Sequence, residues 1–410
     1  MTNSIAEIDG TDAFIIMGTN TTENHPVIAT KIKRRLKEGA KLIVIDPRRI
    51  ELCKYADVFL QIKAGTNIAI LNGIMNVIIN EGLEDESYIK DRTEGYEEFR
   101  KTILKYTPEK VAKICGVDKE DIIKAARIYA KANRGALYYA MGLTQHTTGT
   151  HSVMSASNLQ LLTGNIGFES TGINPLRGQN NVQGACDMGA LPTDYTGYQK
   201  VFLDPVRESM EKFWNTSLPS KKGLTLTEMM NSIHDGNLSF LYVMGENPMV
   251  SDPNLNHVEE ALNKIDFLLV QDIFLTETAQ LADVVLPAAT FAEKDGTFTN
   301  TERRVLRVRK AIDPIGESKP DWQILMELSS LLGHEEFYRN PSDIMDEIAY
   351  ITPSYRGIDY NRLEKSSLQW PCTNKEHPGT MYLHKDTMAR GKGLFMAIDH
   401  VASKDVQDET

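Results

Sequence analysis

The sequence has few of the residues that build self-contained metal sites or disulfide frameworks. Its four cysteines lie far apart, and no two of them form a Cys-x-x-Cys pair. This spacing excludes a local iron–sulfur or zinc site and a disulfide-stabilised scaffold. His146 and His151 lie five positions apart, a spacing that does not put both on one helix face as a zinc pair requires. No Ser-His-Asp or Cys-His constellation of a hydrolase stands out either.

The sequence also lacks an excess of basic residues and any long apolar run. The formal net charge is -11, which argues against nucleic acid as a partner because phosphate binding requires a basic surface. No apolar run approaches the roughly 18 residues of a membrane helix, and residues 1–10 are polar and acidic, unlike a signal peptide. We therefore expect a cytoplasmic protein without a membrane segment. Its 410 residues suffice for two to three domains.

A strand–loop–helix–strand pattern occurs twice. Residues 13–20 form an apolar run that ends in Met-Gly-x-Asn, and residues 240–247 repeat it. A second apolar run follows each copy and ends in Asp46 or Asp272. Another aspartate comes 11 positions after each of these, in Ala56-Asp57-Val58 and in Ala282-Asp283-Val284. The matched spacing indicates an internal repeat.

Each copy predicts a right-handed β-α-β unit. Ligands bind at the carboxyl ends of such strands, where Asp46 and Asp272 are placed to contact ribose hydroxyls. The loops lack the Gly-x-Gly-x-x-Gly pattern, so a nicotinamide cofactor is disfavoured. Two copies suggest two nucleotide-bearing cofactors, one for each unit. The alternative is a repeat of packing alone, in which each Asp is a turn former or a cap.

The segment from Asn174 to Gly189 is rich in amides and glycines. It carries a single arginine, Arg177, whose planar guanidinium suits a carboxylate or phosphate. Flexible glycines at 178 and 184 let the backbone approach a ligand closely. The side-chain amides belong to Gln179, Asn180, Asn181 and Gln183. This pattern predicts a site that wraps a heteroatom-rich ligand beside a small anion, and the alternative is an Asn/Gly-rich turn.

Two other groups of residues have simpler interpretations. His146 is expected near a cofactor loop and His151 to be a satisfied histidine. Four arginines occur close together and are interpreted as the charged face of a solvated strand: Arg303, Arg304, Arg307 and Arg309.

Taken together, the motifs resemble those of the molybdopterin-dependent oxidoreductases, and among them the catalytic subunit of formate dehydrogenases. The resemblance runs from about Thr11 to about Phe395. Its most specific string is Arg177-Gly-Gln-Asn-Asn-Val-Gln-Gly184. The other motifs are Met17-Gly-Thr-Asn20 with His25-Pro26, Ile45-Asp-Pro-Arg48, Gly65-Thr-Asn67, Leu162-Thr-Gly-Asn-Ile-Gly167, Gly245-Glu-Asn-Pro248, Val270-Gln-Asp-Ile-Phe274, Ala282-Asp-Val-Val-Leu-Pro287 and Gly296-Thr-Phe-Thr-Asn300.

The resemblance implies an α/β fold with two related dinucleotide-binding-like domains, as in the central part of formate dehydrogenase and DMSO reductase. Residues 1–177 would form the first domain that binds molybdopterin guanine dinucleotide. Residues 178–300 would form part of the second, and residues 301–410 would be bridging segments and a tail.

The implied activity is the two-electron oxidation of formate to CO2, at molybdenum or tungsten held by two molybdopterin guanine dinucleotides. Arg177 matches the arginine that holds formate. The implied partners are formate and an electron-transfer subunit, an iron–sulfur or flavin protein of anaerobic metabolism. The implied cofactor-binding residues are Gly18, Asn20, His25, Asp46, Gly65, Thr66, Asn67, Gly142, Gln145, Gly178, Gln179, Asn180, Gly245, Asn247, Ser251, Gln271, Asp272, Thr276 and Asp283.

The sequence departs from the family pattern at both ends. Family members begin with a cysteine-rich module for a [4Fe-4S] cluster and a cysteine or selenocysteine that ligates the metal, and they end with a β-rich domain. We therefore expect an internal fragment that contains no metal ligand and is inactive alone, with the ligand encoded upstream of Met1. A selenocysteine codon read as a stop, a split gene or a cloned piece would each account for this.

Two further functions remain open. One is another molybdopterin oxidoreductase, of the nitrate or formylmethanofuran type. The other is a scaffold subunit that has kept the fold and lost the cofactor. The string from Arg177 to Gly184 favours formate dehydrogenase over the first alternative. The amide-rich segment and the two strand-end aspartates argue against the second, because a scaffold needs neither.

Overall fold

The computed structural model describes residues 1–334 and 337–402. These residues form two compact units. The first unit consists of Met1–Gln179 and of the segment that begins at Thr380, and the second consists of Asn180–Gly379. The chain thus divides at Gln179 and at Gly379. The division at 177 and 300 stays a prediction about the two cofactor-binding domains.

Strands alternate with helices through most of the chain. The strands are β1 (Ala13–Met17), β2 (Lys41–Ile45), β3 (Val58–Leu60), β4 (Thr93–Glu94), β5 (Gly135–Tyr139), β6 (Gly172–Pro175), β7 (Phe240–Met244), β8 (Phe267–Asp272), β9 (Val284–Pro287), β10 (Gly296–Thr299), β11 (Arg304–Val308), β12 (Leu368–Gln369) and β13 (Gly393–Leu394).

The helices of the first unit precede the amide-rich segment. They are α1 (Thr21–Asn24), α2 (Pro26–Lys37), α3 (Asn67–Asn80), α4 (Glu86–Arg92), α5 (Tyr96–Ile103), α6 (Pro108–Cys115), α7 (Lys119–Ala130), α8 (Met141–Thr144) and α9 (Gly149–Leu162). Those of the second unit are α10 (Val182–Asp187), α11 (Asp204–Trp214), α12 (Leu226–His234), α13 (Pro248–Ser251), α14 (Leu255–Lys264), α15 (Glu277–Gln280), α16 (Asp321–Leu331), α17 (Pro341–Ile351) and α18 (Tyr360–Leu363). Short 3-10 helices lie at Ile5–Gly10, Glu51–Tyr55, Thr196–Tyr198, Phe291–Glu293 and Pro353–Tyr355.

The first unit is built on a parallel sheet of strand order β3-β2-β1-β5-β6. Strand β1 is buried along its whole length, as expected for an apolar strand with helices on both faces of its sheet. Because side chains alternate between the two faces, Phe14 and Ile16 enter one core, whereas Ile15 and Met17 enter the other. The predicted α/β fold with parallel strands is confirmed.

The segment after Thr380 completes the first unit. Strand β13 pairs in parallel with β4, and the buried ring of Phe395 stacks on Phe99 with centroids 4.6 Å apart. The side chain of Asn158 exchanges two hydrogen bonds with the backbone of Met396, at 2.8 and 3.0 Å. A residue near the C-terminal end of the chain is therefore part of the main hydrophobic core.

The second unit contains two three-stranded sheets. Strands β7, β8 and β9 are parallel, and β8 is the central strand. Strands β10, β11 and β12 are antiparallel. Helices α12 and α14 pack on the parallel sheet around Leu241, Val243 and Val270.

The two longest helices, α3 and α9, have 14 residues each. Within residues 1–334 and 337–402, no helix has both the length and the apolar character that crossing a bilayer requires.

Candidate functional site

The carboxyl ends of the five strands of the first sheet lie along one edge. A cavity of about 520 Å³ opens at this edge, within the size range of small-molecule sites. The order of the strands reverses between β1 and β5, and this is the position at which open α/β sheets bind ligands. The cavity is lined by eight of the predicted cofactor-binding residues: Gly18, Asn20, His25, Asp46, Gly65, Asn67, Gly142 and Gly178.

Two glycine loops touch each other where the strand order reverses. The Gly142 amide donates a hydrogen bond to the Gly18 carbonyl oxygen at 3.0 Å. A Cβ atom on Gly18 would lie 2.5 Å from the Gly142 carbonyl carbon, and the φ angle of Gly18 is +58°. The contact therefore requires glycine at position 18, both for its backbone angle and for the space it leaves. It sets how closely the two loops approach each other beside the cavity.

Buried polar atoms without hydrogen-bond partners occur in the residues that directly follow β1 in the chain. Thr19 Oγ1, Asn20 Oδ1 and Thr21 Oγ1 are buried and have no hydrogen-bond partner among the described residues. Leaving a buried polar group unpaired costs about 1–3 kcal/mol, and such groups in a native protein call for an explanation. Thr19 and Asn20 line the cavity. A polar ligand in the cavity would supply the missing hydrogen bonds.

Two of the residues predicted to bind the cofactor, Asp46 and His25, are titratable and line this cavity. Asp46 follows β2, is only 5% exposed, and accepts a hydrogen bond from the Arg48 amide at 2.9 Å. Burial raises the pKa of Asp46 above its usual 3.8, although the Arg48 amide and charge oppose this. Burial lowers the pKa of His25, which favours the neutral imidazole. His146 also lines the cavity, and its Nε2 lies 3.0 Å from the Gly142 oxygen.

The other four predicted residues of the first unit do not line the cavity, and each is next in the chain to a residue that does. Thr66 precedes α3 and donates a hydrogen bond to the Lys63 carbonyl at 2.6 Å. Gln145 directly follows α8 and is exposed. Arg177 follows the end of β6 by two residues and is half-buried, while Gln179 is exposed. Arg177 therefore follows a strand that ends at the same sheet edge as the cavity.

The four amides of the amide-rich segment have different surroundings. Gln179 and Asn180 are exposed. Asn181 accepts a hydrogen bond from the Thr299 amide at 2.9 Å through Oδ1. Gln183 donates one from Nε2 to Asp187 Oδ1 at 2.8 Å. The segment therefore combines two amides free to meet a ligand with two that hold the second unit together, and the sequence alone does not distinguish them.

Asp187 organises the interior of the second unit, and no sequence signal singled it out. Its carboxylate is fully buried. It accepts hydrogen bonds from Tyr198 at 2.9 Å, and from Tyr355 and Trp370 Nε1 at 2.6 Å each. Burial and the Asp187 charge raise the pKa of Tyr355 well above its usual value. These bonds connect the amide-rich segment to residues almost two hundred positions away.

The second unit repeats the geometry of the first. The Gly18 amide donates to the Ile45 oxygen at 3.1 Å, and the Gly245 amide donates to the Gln271 oxygen at 2.9 Å. Both glycines have positive φ angles, +58° and +63°. Asp272, like Asp46, accepts a hydrogen bond from the amide two residues later, here at 3.0 Å.

The second aspartates of the two repeat copies, Asp57 and Asp283, also make equivalent hydrogen bonds. Asp57 accepts a hydrogen bond from the Leu42 amide at 2.9 Å, and Asp283 accepts one from the Leu268 amide at 2.7 Å. The internal repeat predicted from spacing is confirmed. Each of these carboxylates binds the backbone at the beginning of the preceding strand. Asp283 therefore has a structural role within its β-α-β unit.

The other predicted residues of the second unit bond to their neighbours. Asn247 accepts from Thr278 Oγ1 at 2.7 Å and donates to Glu277 at 2.7 Å. The fully buried Gln271 amide donates to Asp321 at 2.7 Å. Ser251 donates to the Asn247 carbonyl at 3.2 Å, and Thr276 caps α15 by accepting from the Ala279 amide at 3.1 Å. Their role towards a cofactor stays a prediction.

The interpretation of the arginine cluster as a solvated strand is wrong for two of its members. Arg303 is 2% exposed, and its guanidinium lies 5.5 Å from the ring centroid of Trp370. Arg307 lies 4.1 Å from the Tyr360 ring centroid and pairs with Asp295 and Glu364. A guanidinium can be buried against an aromatic ring because of cation–π attraction. Local sequence does not report such distant partners.

In the part of the chain that the structure describes, no group of three or more His, Cys, Asp or Glu side chains could hold a metal ion. All four cysteines are free.

Comparison with known proteins connects this geometry to a family. The family model described as "Molybdopterin oxidoreductase" matches residues 1–331. The chain belongs to the molybdopterin oxidoreductase family. The predicted family is thereby confirmed, and the cofactor that the family implies is a molybdopterin-bound metal.

Curated relatives match along nearly the whole chain. The F420-dependent formate dehydrogenase subunit alpha of Methanocaldococcus jannaschii is 53% identical over 413 residues, covering 100% of this chain and 61% of the relative. Formate dehydrogenase H of Escherichia coli K12 is 42% identical over 411 residues, covering 99% of this chain and 58% of the relative. The chain therefore spans about three fifths of the length of these relatives.

A solved structure supports the fold. Acetylene hydratase from Pelobacter acetylenicus superposes with a TM-score of 0.69 at 23% sequence identity. The match covers 89% of this chain and 52% of that one.

The residues of the first unit suit the cofactor of the family. A molybdopterin carries polar ring atoms and phosphate, and the cavity offers unpartnered oxygens at Thr19 and Asn20. Gly18 and Gly142, which also line the cavity, offer close backbone approach. Hydroxyl donors and glycine loops are suitable partners for a phosphate-bearing ligand.

Proposed function

We propose that the chain contains the cofactor-binding core of a formate dehydrogenase alpha subunit, which oxidises formate to CO2 by two electrons. The observation that carries the proposal is the cavity at the carboxyl edge of the first sheet, with its unpartnered oxygens and with Arg177 leaving the same edge. The names of the relatives at 42% and 53% identity support the choice of formate.

The internal repeat supports two molybdopterin guanine dinucleotides, one held by each unit. In the first unit, Asp46 and Asn67 would contact the guanosine, and Gly18, Asn20 and Gly142 would contact the remainder. In the second unit, Asn247, Ser251 and Asp272 have the equivalent roles. When bound, the pterin-held molybdenum or tungsten accepts the two electrons of formate.

Arg177 would bind the carboxylate of formate and hold its C–H in a productive direction. A guanidinium matches the two carboxylate oxygens with two parallel N–H donors. It also lowers the cost of moving an anion out of water into a closed site. The electrons would then pass to a separate electron-transfer subunit. The F420-dependent relatives suggest that a deazaflavin is the final acceptor.

Acid hydrolysis of the complete enzyme, purified without oxygen, tests the number of nucleotides. We expect two guanosine monophosphates for each metal atom. Asp46→Ala and Asp272→Ala should each reduce this ratio, because each removes a ribose contact from one unit. A ratio of one in the unmodified enzyme contradicts the assignment of a nucleotide to each unit.

Formate-dependent dye reduction, expressed per metal atom, tests the arginine. Arg177→Lys keeps the charge and loses the bidentate fork, so kcat/KM should fall by about tenfold or more. Arg177→Ala should lower it by on the order of a hundredfold, equivalent to about 3 kcal/mol. Arg127→Lys is the matched control, since Arg127 pairs with Glu81 on the surface. Normal turnover per metal in both Arg177 variants would exclude the role of Arg177.

A further inference from the structure

Strand register brings Tyr139 close to Arg177. Strands β5 and β6 are parallel neighbours in which Tyr139 pairs with Pro175, and the Leu176 amide donates to the Tyr139 oxygen at 2.7 Å. Leu176 packs in the core on the opposite face of the sheet from Tyr139. Since side chains alternate between faces, Arg177 leaves the chain towards the face of Tyr139.

The hydroxyl of Tyr139 differs from those of other buried tyrosines. Tyr139 is 7% exposed, its hydroxyl makes no hydrogen bond to residues 1–334 or 337–402, and this hydroxyl is not one of the fully buried side-chain atoms that lack a partner. The hydroxyl is therefore accessible to a ligand. Buried tyrosine hydroxyls normally find a partner. Others in this chain do so: Tyr88 donates to Ile166, Tyr106 donates to Asp399, Tyr129 accepts from Gln160 and Tyr355 donates to Asp187.

The charge state of this hydroxyl favours an anion as its partner. Burial raises the pKa of Tyr139 to about 12, while the positive charge of Arg177 acts in the opposite direction. The phenol therefore remains protonated at neutral pH and can donate one hydrogen bond. A guanidinium and a phenol donor on the same face of the sheet suit a small carboxylate, whose oxygens accept several hydrogen bonds.

We propose that the Tyr139 hydroxyl is a second hydrogen-bond donor of the carboxylate site organised by Arg177. This inference rests on the proposed function, because it takes formate as the anion bound there. Tyr139 is on a central, fully buried strand, whereas Arg177 is on a connecting segment. The phenol thus provides the rigid side of the site and fixes the orientation in which the carboxylate binds.

The test compares two neighbouring tyrosines on opposite faces of β5. Tyr139→Phe retains the ring in its core and removes only the hydroxyl. Tyr138→Phe is the matched control, since Tyr138 packs in the other core. In the complete enzyme, Tyr139→Phe should raise the KM for formate by about 10- to 100-fold, the usual effect of losing a hydrogen bond to a charged group. The control should remain within about twofold of the unmodified enzyme.

Binding is also measured without turnover, as the Kd of formate and of azide by calorimetry on the fully reduced enzyme, which cannot accept electrons from formate. The Kd of formate should rise with KM in Tyr139→Phe. Because neither KM nor Kd depends on the fraction of enzyme that is correctly loaded, partial loss of cofactor does not obscure the result.

The outcomes separate this inference from the proposed function. If Tyr139→Phe binds formate normally while Arg177→Lys binds it weakly, the inference about Tyr139 is overturned and the proposed function stands. If neither variant changes formate binding or turnover, both the role of Arg177 and the inference fail. An equal loss in Tyr138→Phe and Tyr139→Phe would assign the effect to strand packing and overturn the inference.

Discussion

Replacing Gly18 and Gly245 by alanine, one at a time, measures how much the close approach of the two cavity loops matters. The two glycines occupy equivalent positions of the internal repeat. Their φ angles are +58° and +63°, so an alanine side chain meets the same backbone strain at both. Their surroundings differ. A Cβ on Gly18 lies 2.5 Å from the Gly142 carbonyl carbon and 2.6 Å from the Leu143 amide, whereas a Cβ on Gly245 meets nothing within 4 Å.

The expected magnitudes follow from these contacts. A left-handed backbone costs an alanine roughly 1–2 kcal/mol, and Gly245→Ala should destabilise the second unit by this amount alone. Gly18→Ala adds overpacking against backbone atoms, which no rotamer change can relieve. Overpacking costs about 1–3 kcal/mol, so the total loss in the first unit should be roughly 2–5 kcal/mol. Gly18→Ala should also weaken retention of the cofactor, because the loops must move apart beside the cavity.

The assay must report on each unit separately, since two units need not unfold together. All three tryptophans lie in the second unit, at positions 214, 322 and 370. Tryptophan fluorescence in urea therefore follows Gly245→Ala. Amide hydrogen exchange in β1, read by mass spectrometry, follows Gly18→Ala. Equal free-energy losses for the two variants would refute the argument from the Gly142 contact, as would a loss below about 1 kcal/mol for Gly18→Ala.

Two further substitutions test the packing of the first core and the titration of Asp46. Phe395→Ala should destabilise the first unit by about 3–5 kcal/mol, because the 3%-exposed ring contacts Phe99 and Tyr96. The control in the same unit is Phe168→Ala, since Phe168 is 49% exposed. A loss below about 1 kcal/mol for Phe395→Ala, read from hydrogen exchange in β1, would contradict this packing. Asp46→Asn should stabilise the cofactor-free first unit at pH 7. Burial raises the pKa of Asp46 in the folded state, so stability falls as pH rises from the usual value of 3.8 through the folded pKa, and the variant lacks this fall. Hydrogen exchange in β2 between pH 4 and 8 measures the effect, and an unchanged pH profile in the variant would argue against it.

The parts of the fold that could be predicted depend on local patterns. The apolar runs of β1 and β2 and the spacing of Gly18 to Asp46 are short-range features, and they recur at Gly245 and Asp272. Parallel strands also put their carboxyl ends on one edge, so the position of the cavity follows from the order of the elements. For these reasons, the repeat and the position of the cavity in the first unit could be inferred from the sequence.

The parts that could not be predicted depend on distant partners. Asp187 receives a hydrogen bond from Trp370, 183 positions later in the chain. Arg303 stacks on the same tryptophan. Whether an isolated charge is buried or solvated is decided by such contacts, and spacing along the chain does not encode them. The sequence does not indicate a role for Tyr139 for a related reason, since only the pairing of β5 with β6 brings it near Arg177.

The position of Phe395 has a consequence during protein synthesis. Phe99 leaves the ribosome long before Phe395, the ring that covers it. At about 5–20 residues per second, the nascent chain waits roughly 15 to 60 seconds between the two. Throughout that interval, the apolar surface around Phe99 lacks its cover, while all of Asn180–Gly379 is synthesised and is free to fold. The second unit, inserted in the chain of the first, can therefore mature before the first is complete, and the uncovered surface is where a chaperone would bind.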